Sequence, residues 1–223
     1  MEKSTGIDPG LRIILEKAPS EELEYGFVME CLNQYQNPRV KLNHLLKIGA
    51  LVRVKKGIYI FGKLFARGPY CSEVLANMIY GPSYVSLEWA CQYWNLIPER
   101  VYTVTSVTTK RTKLFNTPIG TFTYDHLPIS VYPVGVTYIR FSDKQHALVA
   151  TKEKALVDLL LVRRGFIASM KNLQETLFED LRVEETDLST FDLDLIEQIH
   201  QVCSQNTTKL LLQLIKKRKQ NHE

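Results

Sequence analysis

Between Pro38 and Lys63 the chain carries Arg39, Lys41, Lys47, Arg53, Lys55, Lys56 and Lys63, and not one Asp or Glu. A patch of one sign attracts its opposite, and the densest biological array of negative charge is the phosphate backbone of nucleic acid. Among these cations, Asn43 has the amide geometry that pairs with the edge of adenine. Lys47 can donate to guanine, and Val40 can meet a thymine methyl. A solvated basic surface would have the same composition, so the placement of the residues decides between the two readings.

That placement follows from local signals. Pro38 suits a first helical position and Gly49 the left-handed position just past a helix end. Between them Leu42, Leu45 and Leu46 share one stripe. Val40, Asn43, His44 and Lys47 fall on the opposite face, with Arg39 and Lys41 at its margins. Leu51 to Val54 and Ile58 to Phe61 read as two short strands joined across Lys55-Lys56-Gly57, which sets Arg53, Lys55 and Lys56 around a turn where they would meet phosphate. Upstream, Leu11, Ile14, Leu15 and Ala18 keep helical spacing up to Pro19. Ser20, Glu21 and Glu22 then read as the start of a second helix, which carries Phe27, Val28, Cys31, Leu32 and Tyr35 to Gln36-Asn37. Helix, helix, turn, helix and basic hairpin is the layout of a winged helix, expected over residues 1–66.

Residues 67–223 read as a mixed α/β domain, so the predicted class is α+β. Ser72 and Ser86 are placed to cap helices over Glu73 to Tyr80 and Leu87 to Trp94. Trp89 and Trp94 read as core or interface residues. From Val101 the period becomes that of strands, with about four expected: Val101–Thr109, Gly120–Tyr124, Val131–Phe141 and Ala147–Ala150. Lys110, Arg111 and Lys113 fall in a loop of that sheet, as a solvated turn or an added phosphate contact. Thr151 caps a helix over Lys152 to Arg163, in which Asp158 needs a partner if it is buried. Phe166 to Leu181 and Phe191 to Val202 read as helices split by an acidic loop, and Thr207 to Lys219 as the last.

The 223 residues, 45% hydrophobic and 23% charged, have net charge +4 and a pI near 8.8, so the chain is mildly basic and its asymmetry matters more than its total. No run approaches the ~18 to 20 apolar residues of a membrane span, and Met1 to Gly6 lacks a signal peptide's apolar segment, so a cytoplasmic location is expected. Cys31, Cys71, Cys91 and Cys203 are widely spaced and read as reduced core residues. The five histidines show no metal-ligand spacing, and no nucleophile-elbow, Walker or dinucleotide motif is present. Asp192 and Asp194 resemble a metal-binding carboxylate pair but lie in an amphipathic helix. Asp125, Asp143, Glu153 and Lys154 lack the spacing of a nuclease set. No cofactor, metal or catalytic residue is assigned.

Several short stretches, taken in order, resemble the AbiEi-type antitoxins of type IV toxin–antitoxin systems, described as transcriptional regulators of viral defence. They are Asn37-Pro-Arg-Val-Lys-Leu, Leu45-Leu-Lys-Ile-Gly-Ala-Leu, Lys55-Lys-Gly-Ile-Tyr59, Tyr80-Gly-Pro-Ser-Tyr-Val-Ser-Leu-Glu88, Leu96-Ile-Pro-Glu99, Val104-Thr-Ser-Val-Thr108 and Glu153-Lys-Ala-Leu-Val-Asp158. The resemblance spans residues 20 to 165. It implies a winged helix that represses its own operon by binding double-stranded operator DNA. It also implies a rear domain that counters a nucleotidyltransferase toxin without a stable complex. Two other readings stand beside it: a transcription regulator whose rear domain senses a ligand or dimerises, and a nuclease acting on DNA held by the front domain. Front and rear are expected to fold around separate cores, so that a chain beginning near Leu64 would retain the rear function.

Overall fold

In a computed structural model, which describes residues 6–220, the protein is an α+β chain with two hydrophobic clusters. Met1 to Thr5, most of the stretch read for a signal peptide, lie outside the described residues, as does His222.

The front unit runs α1 (Pro9–Lys17), β1 (Glu22–Glu24), α2 (Tyr25–Cys31), α3 (Pro38–Lys47), β2 (Leu51–Lys55) and β3 (Ile58–Phe61), with the strands in an antiparallel sheet ordered β1-β3-β2. Leu11, Ile14, Val28, Leu32, Leu42 and Leu45 fill the core between helices and sheet. Gly49, at φ +69°, takes the left-handed conformation that ends α3 and sends the chain into β2.

Strand β1 departs from the sequence expectation. Residues 22–24 extend along β3 instead of opening a helix, and α2 begins only at Tyr25. Glu21 and Glu22, acids suited by sequence to a first helical turn, are both buried in tertiary contacts. Glu21 pairs with Arg67 at 3.1 Å, and Glu22 Oε1 accepts the Cys71 N–H at 2.5 Å and Gln145 Nε2 at 2.8 Å. An open sheet edge and these partners outweigh a weak local helix signal.

The rear unit contains α4 (Ser72–Ile79), β4 (Ser83–Val85), α5 (Leu87–Tyr93), β5 (Val104–Thr108), β6 (Lys113–Thr117), β7 (Gly120–His126), β8 (Val136–Ser142), β9 (Gln145–Ala150) and α6 (Lys152–Leu159). A π-helical turn over Leu160–Arg164 extends α6. Then come α7 (Met170–Gln174), itself extended by a π-helical turn over Glu175–Asp180, α8 (Glu185–Ser189), α9 (Leu193–Cys203) and α10 (Asn206–Gln220).

The rear sheet has six strands, ordered β6-β7-β5-β4-β9-β8, where four were expected. The two additions are β4 and β6. All three residues of β4 are buried between β5 and β9, so it shows none of the alternation that marks a half-exposed strand. Strand β6 begins at Lys113, so the basic stretch read as a loop passes into an edge strand paired with β7. In the segment read as an acidic loop lies α8, and Asp192 caps α9 by accepting the N–H groups of Asp194 and Leu195. That cap accounts for the carboxylate pair by helix geometry. Thr151 caps α6 as expected, whereas the side chains of Ser72 and Ser86 cap nothing.

The two clusters meet at the hairpin. Successive residues of a strand face opposite sides, and all four residues of β3 are buried. Tyr59 and Phe61 enter the front core, while Ile58 and Ile60, with Val54 of β2, belong to the rear core. The front and rear units therefore share the hairpin, and a boundary at residue 66 cuts the rear core from three of its side chains.

Candidate nucleic-acid interface

Helix α3 buries Leu42 and Leu45, half-buries Leu46, and exposes Arg39, Val40, Asn43, His44 and Lys47. Val40 is 66% exposed, high for an apolar side chain on an amphipathic helix. Beside this face the hairpin leaves Arg53 and Lys56 exposed, and the two elements flank a groove of about 750 Å³. Its lining is Tyr25, Arg39, Leu42, Asn43, Arg53, Lys56, Gly57 and Tyr59: three cations and no carboxylate. The Tyr25 hydroxyl accepts Arg39 Nε at 3.0 Å, and the Arg53 guanidinium lies 5.9 Å from the centre of the Tyr59 ring. Both guanidinium groups are thus steered by neutral partners that leave their charge uncompensated. Gly57, at φ +90°, lets the two-residue turn close beside Tyr25.

Seven of the nine residues singled out from the sequence, Arg39, Val40, Asn43, His44, Lys47, Arg53 and Lys56, lie on this exposed face or line its groove. The other two, Lys41 and Lys55, are engaged elsewhere, and the exposed His44 stands near a carboxylate. Lys41 is turned inward onto Asp8, with Nζ 2.7 Å from Oδ2, and His44 Nε2 stands 3.7 Å from the same oxygen. Asp8 also caps α1 through Oδ1, at 2.8 Å from the Gly10 N–H and 3.2 Å from that of Leu11. Burial raises the Asp8 pKa, but the hydrogen bonds and charge of Lys41 and the backbone donors outweigh it and hold the carboxyl below its ordinary value. One carboxylate therefore fixes the start of α1 and docks it to α3. Nothing in the local pattern around Asp8 revealed that second role, because its partner lies 33 residues away.

Lys55 is displaced by a register shift between Arg53 and Lys55, which turns its side chain from the groove toward the rear unit. Its Nζ donates to the Ile79 carbonyl at 2.5 Å and lies 4.6 Å from the centre of the Phe115 ring. Burial, and after it the charges of Lys113 and Lys110, lower its pKa.

The strongest buried polar cluster lies in the rear unit and joins two of the sequence stretches noted above. Asp158, fully buried, accepts the hydroxyls of Tyr84 and Ser86 on Oδ2, each at 2.8 Å, and its Oδ1 is 2.9 Å from the ammonium of Lys154. Lys154, also fully buried, donates to the Val131 carbonyl at 2.8 Å. The hydroxyl of Ser86 is committed to Asp158 and not to the backbone of α5, and Leu87 follows it at φ +59°. The other acids considered for a nuclease set are dispersed. Asp125 pairs with Arg163, Asp143 with Arg140, and Glu153 accepts the Asp192 N–H. Among the described residues no group of three or more His, Cys, Asp or Glu side chains could hold a metal ion. No described helix is long and apolar enough to cross a membrane.

No protein-family model matches the chain, and no curated protein matches it.

Proposed function

We propose that this protein is a DNA-binding regulator whose front unit is a winged helix, with α3 entering the major groove and the β2–β3 hairpin lying along the phosphate backbone. The observation that carries this reading is the groove between α3 and the hairpin, which has three cations and an amide on its walls and no carboxylate. Arg39, Arg53 and Lys56 supply phosphate contacts and Asn43 a base contact, with Val40 and Lys47 beside it on the exposed face. Together with the ordered resemblance to AbiEi-type antitoxins, this supports a cytoplasmic, non-enzymatic antitoxin. It binds the double-stranded operator of its own operon and counters a nucleotidyltransferase toxin in defence against phage.

The test is fluorescence anisotropy with the DNA upstream of the protein's own gene and with a scrambled duplex, over a range of salt concentrations. Asn43→Ala is expected to lose ~1 to 3 kcal/mol on the upstream site and much less on the scrambled one. Lys56→Ala is expected to weaken both alike and to make the salt slope shallower by about 1. Failure of the unaltered protein to bind either duplex at low salt refutes the DNA reading. Growth of cells expressing a neighbouring nucleotidyltransferase, with and without this protein, tests the antitoxin half.

A further inference from the structure

A second group of cations lies where the hairpin meets the rear sheet. Lys113, the first residue of β6, holds its ammonium 5.1 Å from the centre of the Phe115 ring and 5.6 Å from that of Tyr80. Lys110 stands 5.4 Å from the Tyr80 ring and donates to the Gly81 carbonyl. Lys55 reaches the Phe115 ring of this pair from the hairpin, and the two rings are tilted with centroids 5.6 Å apart. Three ammonium groups from two units of the chain thus converge on one aromatic pair. Arg111 lies between two of them, exposed, with its carbonyl accepting the Tyr80 hydroxyl at 3.2 Å.

Like charges brought this close repel, and chains ordinarily answer with a carboxylate. Here no ion pair to any of Lys55, Lys110, Arg111 or Lys113 forms among the described residues. What holds the lysines is carbonyl oxygens and ring faces, which orient a cation without neutralising it. Lys55 shows the consequence: burial and its two lysine neighbours disfavour its charged form, a penalty that an incoming anion would reverse. The rings are half-buried beneath the lysines, so the cluster presents charge and not a stacking platform. It begins at the residue next to Lys56, which lines the groove.

We propose that Lys55, Lys110, Arg111 and Lys113 form a second phosphate-binding surface, through which the rear unit grips the backbone of the same duplex that α3 reads. The inference rests on the DNA reading above. It adds that the rear unit is part of the DNA-binding surface, reached by the backbone one step beyond the hairpin.

The test compares the unaltered protein with Lys110→Ala/Arg111→Ala/Lys113→Ala, leaving Lys55 in place because it seats the hairpin. A control triple, Lys209→Ala/Lys217→Ala/Lys219→Ala, removes equal charge from α10. Thermal melts confirm that each variant is folded. At 0.15 M salt the first triple is expected to lose roughly 30- to 100-fold in affinity for both upstream and scrambled duplexes, with a salt slope shallower by about 2 to 3. The gain in affinity from lengthening the duplex beyond the α3 site should disappear with it. If the unaltered protein binds DNA while the triple keeps its affinity and slope, the second surface is refuted and the DNA reading stands. Equal losses in the α10 triple refute it too, because long-range charge would then suffice. No DNA binding by the unaltered protein refutes both.

Discussion

Asp158→Asn removes one charge from the interior and leaves shape almost unchanged, so its effect isolates electrostatics. Asp158 and Lys154 are each fully buried, one helical turn apart on α6. After the change the Lys154 ammonium retains the Val131 carbonyl as its hydrogen-bond acceptor and loses its counter-charge. Leaving one member of a buried pair uncompensated destabilises by ~3 to 5 kcal/mol. Folded domains are stable by only ~5 to 15 kcal/mol, so the loss is a large fraction of the total. Lys154→Met added to Asp158→Asn should recover more than half of it, because no ammonium remains and the Asn oxygen can still accept from Tyr84 and Ser86. Urea unfolding followed by tryptophan fluorescence is the assay, since Trp89 and the adjacent Trp94 lie at α5, whose first turn Ser86 precedes. A loss under ~1 kcal/mol for Asp158→Asn, or additive losses in the double variant, would refute the account of Lys154 and Asp158 as a coupled pair.

A chain beginning at Leu64 is expected to be insoluble or largely unfolded by circular dichroism, because it lacks Val54, Ile58 and Ile60, buried apolar side chains worth ~1.5 to 3 kcal/mol each. This reverses the expectation of separable units, and a soluble, cooperatively melting fragment would restore it. Asp8→Ala should lower stability by ~1 to 2 kcal/mol through loss of the α1 cap, and should tighten binding to scrambled DNA because Lys41 and His44 lose their carboxylate. The Asp8 carboxyl lies below its ordinary 3.8 when folded, so its contribution is present above that pH and is lost as pH falls through the folded value. The stability difference between the proteins should narrow there in acid melts. Burial, followed by the hydrogen bond to Glu73, pushes the Cys71 thiol up to about 12 from 9.0, so its stability contribution is complete below pH 9 and declines as pH rises toward 12. Iodoacetamide at pH 8 should leave Cys71 unlabelled in the folded protein and label it in urea, as read by peptide mass spectrometry.

What the sequence determined by itself was whatever depends on neighbours along the chain. The 3.6-residue stripe of α3, its proline start and glycine stop, the turn within Lys55-Lys56-Gly57 and the run of cations without an acid are all local. They sufficed to place Arg39, Val40, Asn43, His44, Lys47, Arg53 and Lys56 on the exposed face or its groove. The tertiary structure alone decided which charges were free. Lys41 and Lys55 look the same in sequence as Lys47 and Lys56, yet one is held by Asp8 and the other by Ile79 and Phe115. It also decided that residues 22–24 extend, since the unpaired edge of β3 is created by distant residues. The four-residue strand β3 serves two cores because its period of two sends alternate side chains to opposite faces, and only the assembly of the rear core gives the second face partners. Local order follows from backbone geometry over a few residues, whereas the fate of a charge or a strand face depends on what the fold brings against it.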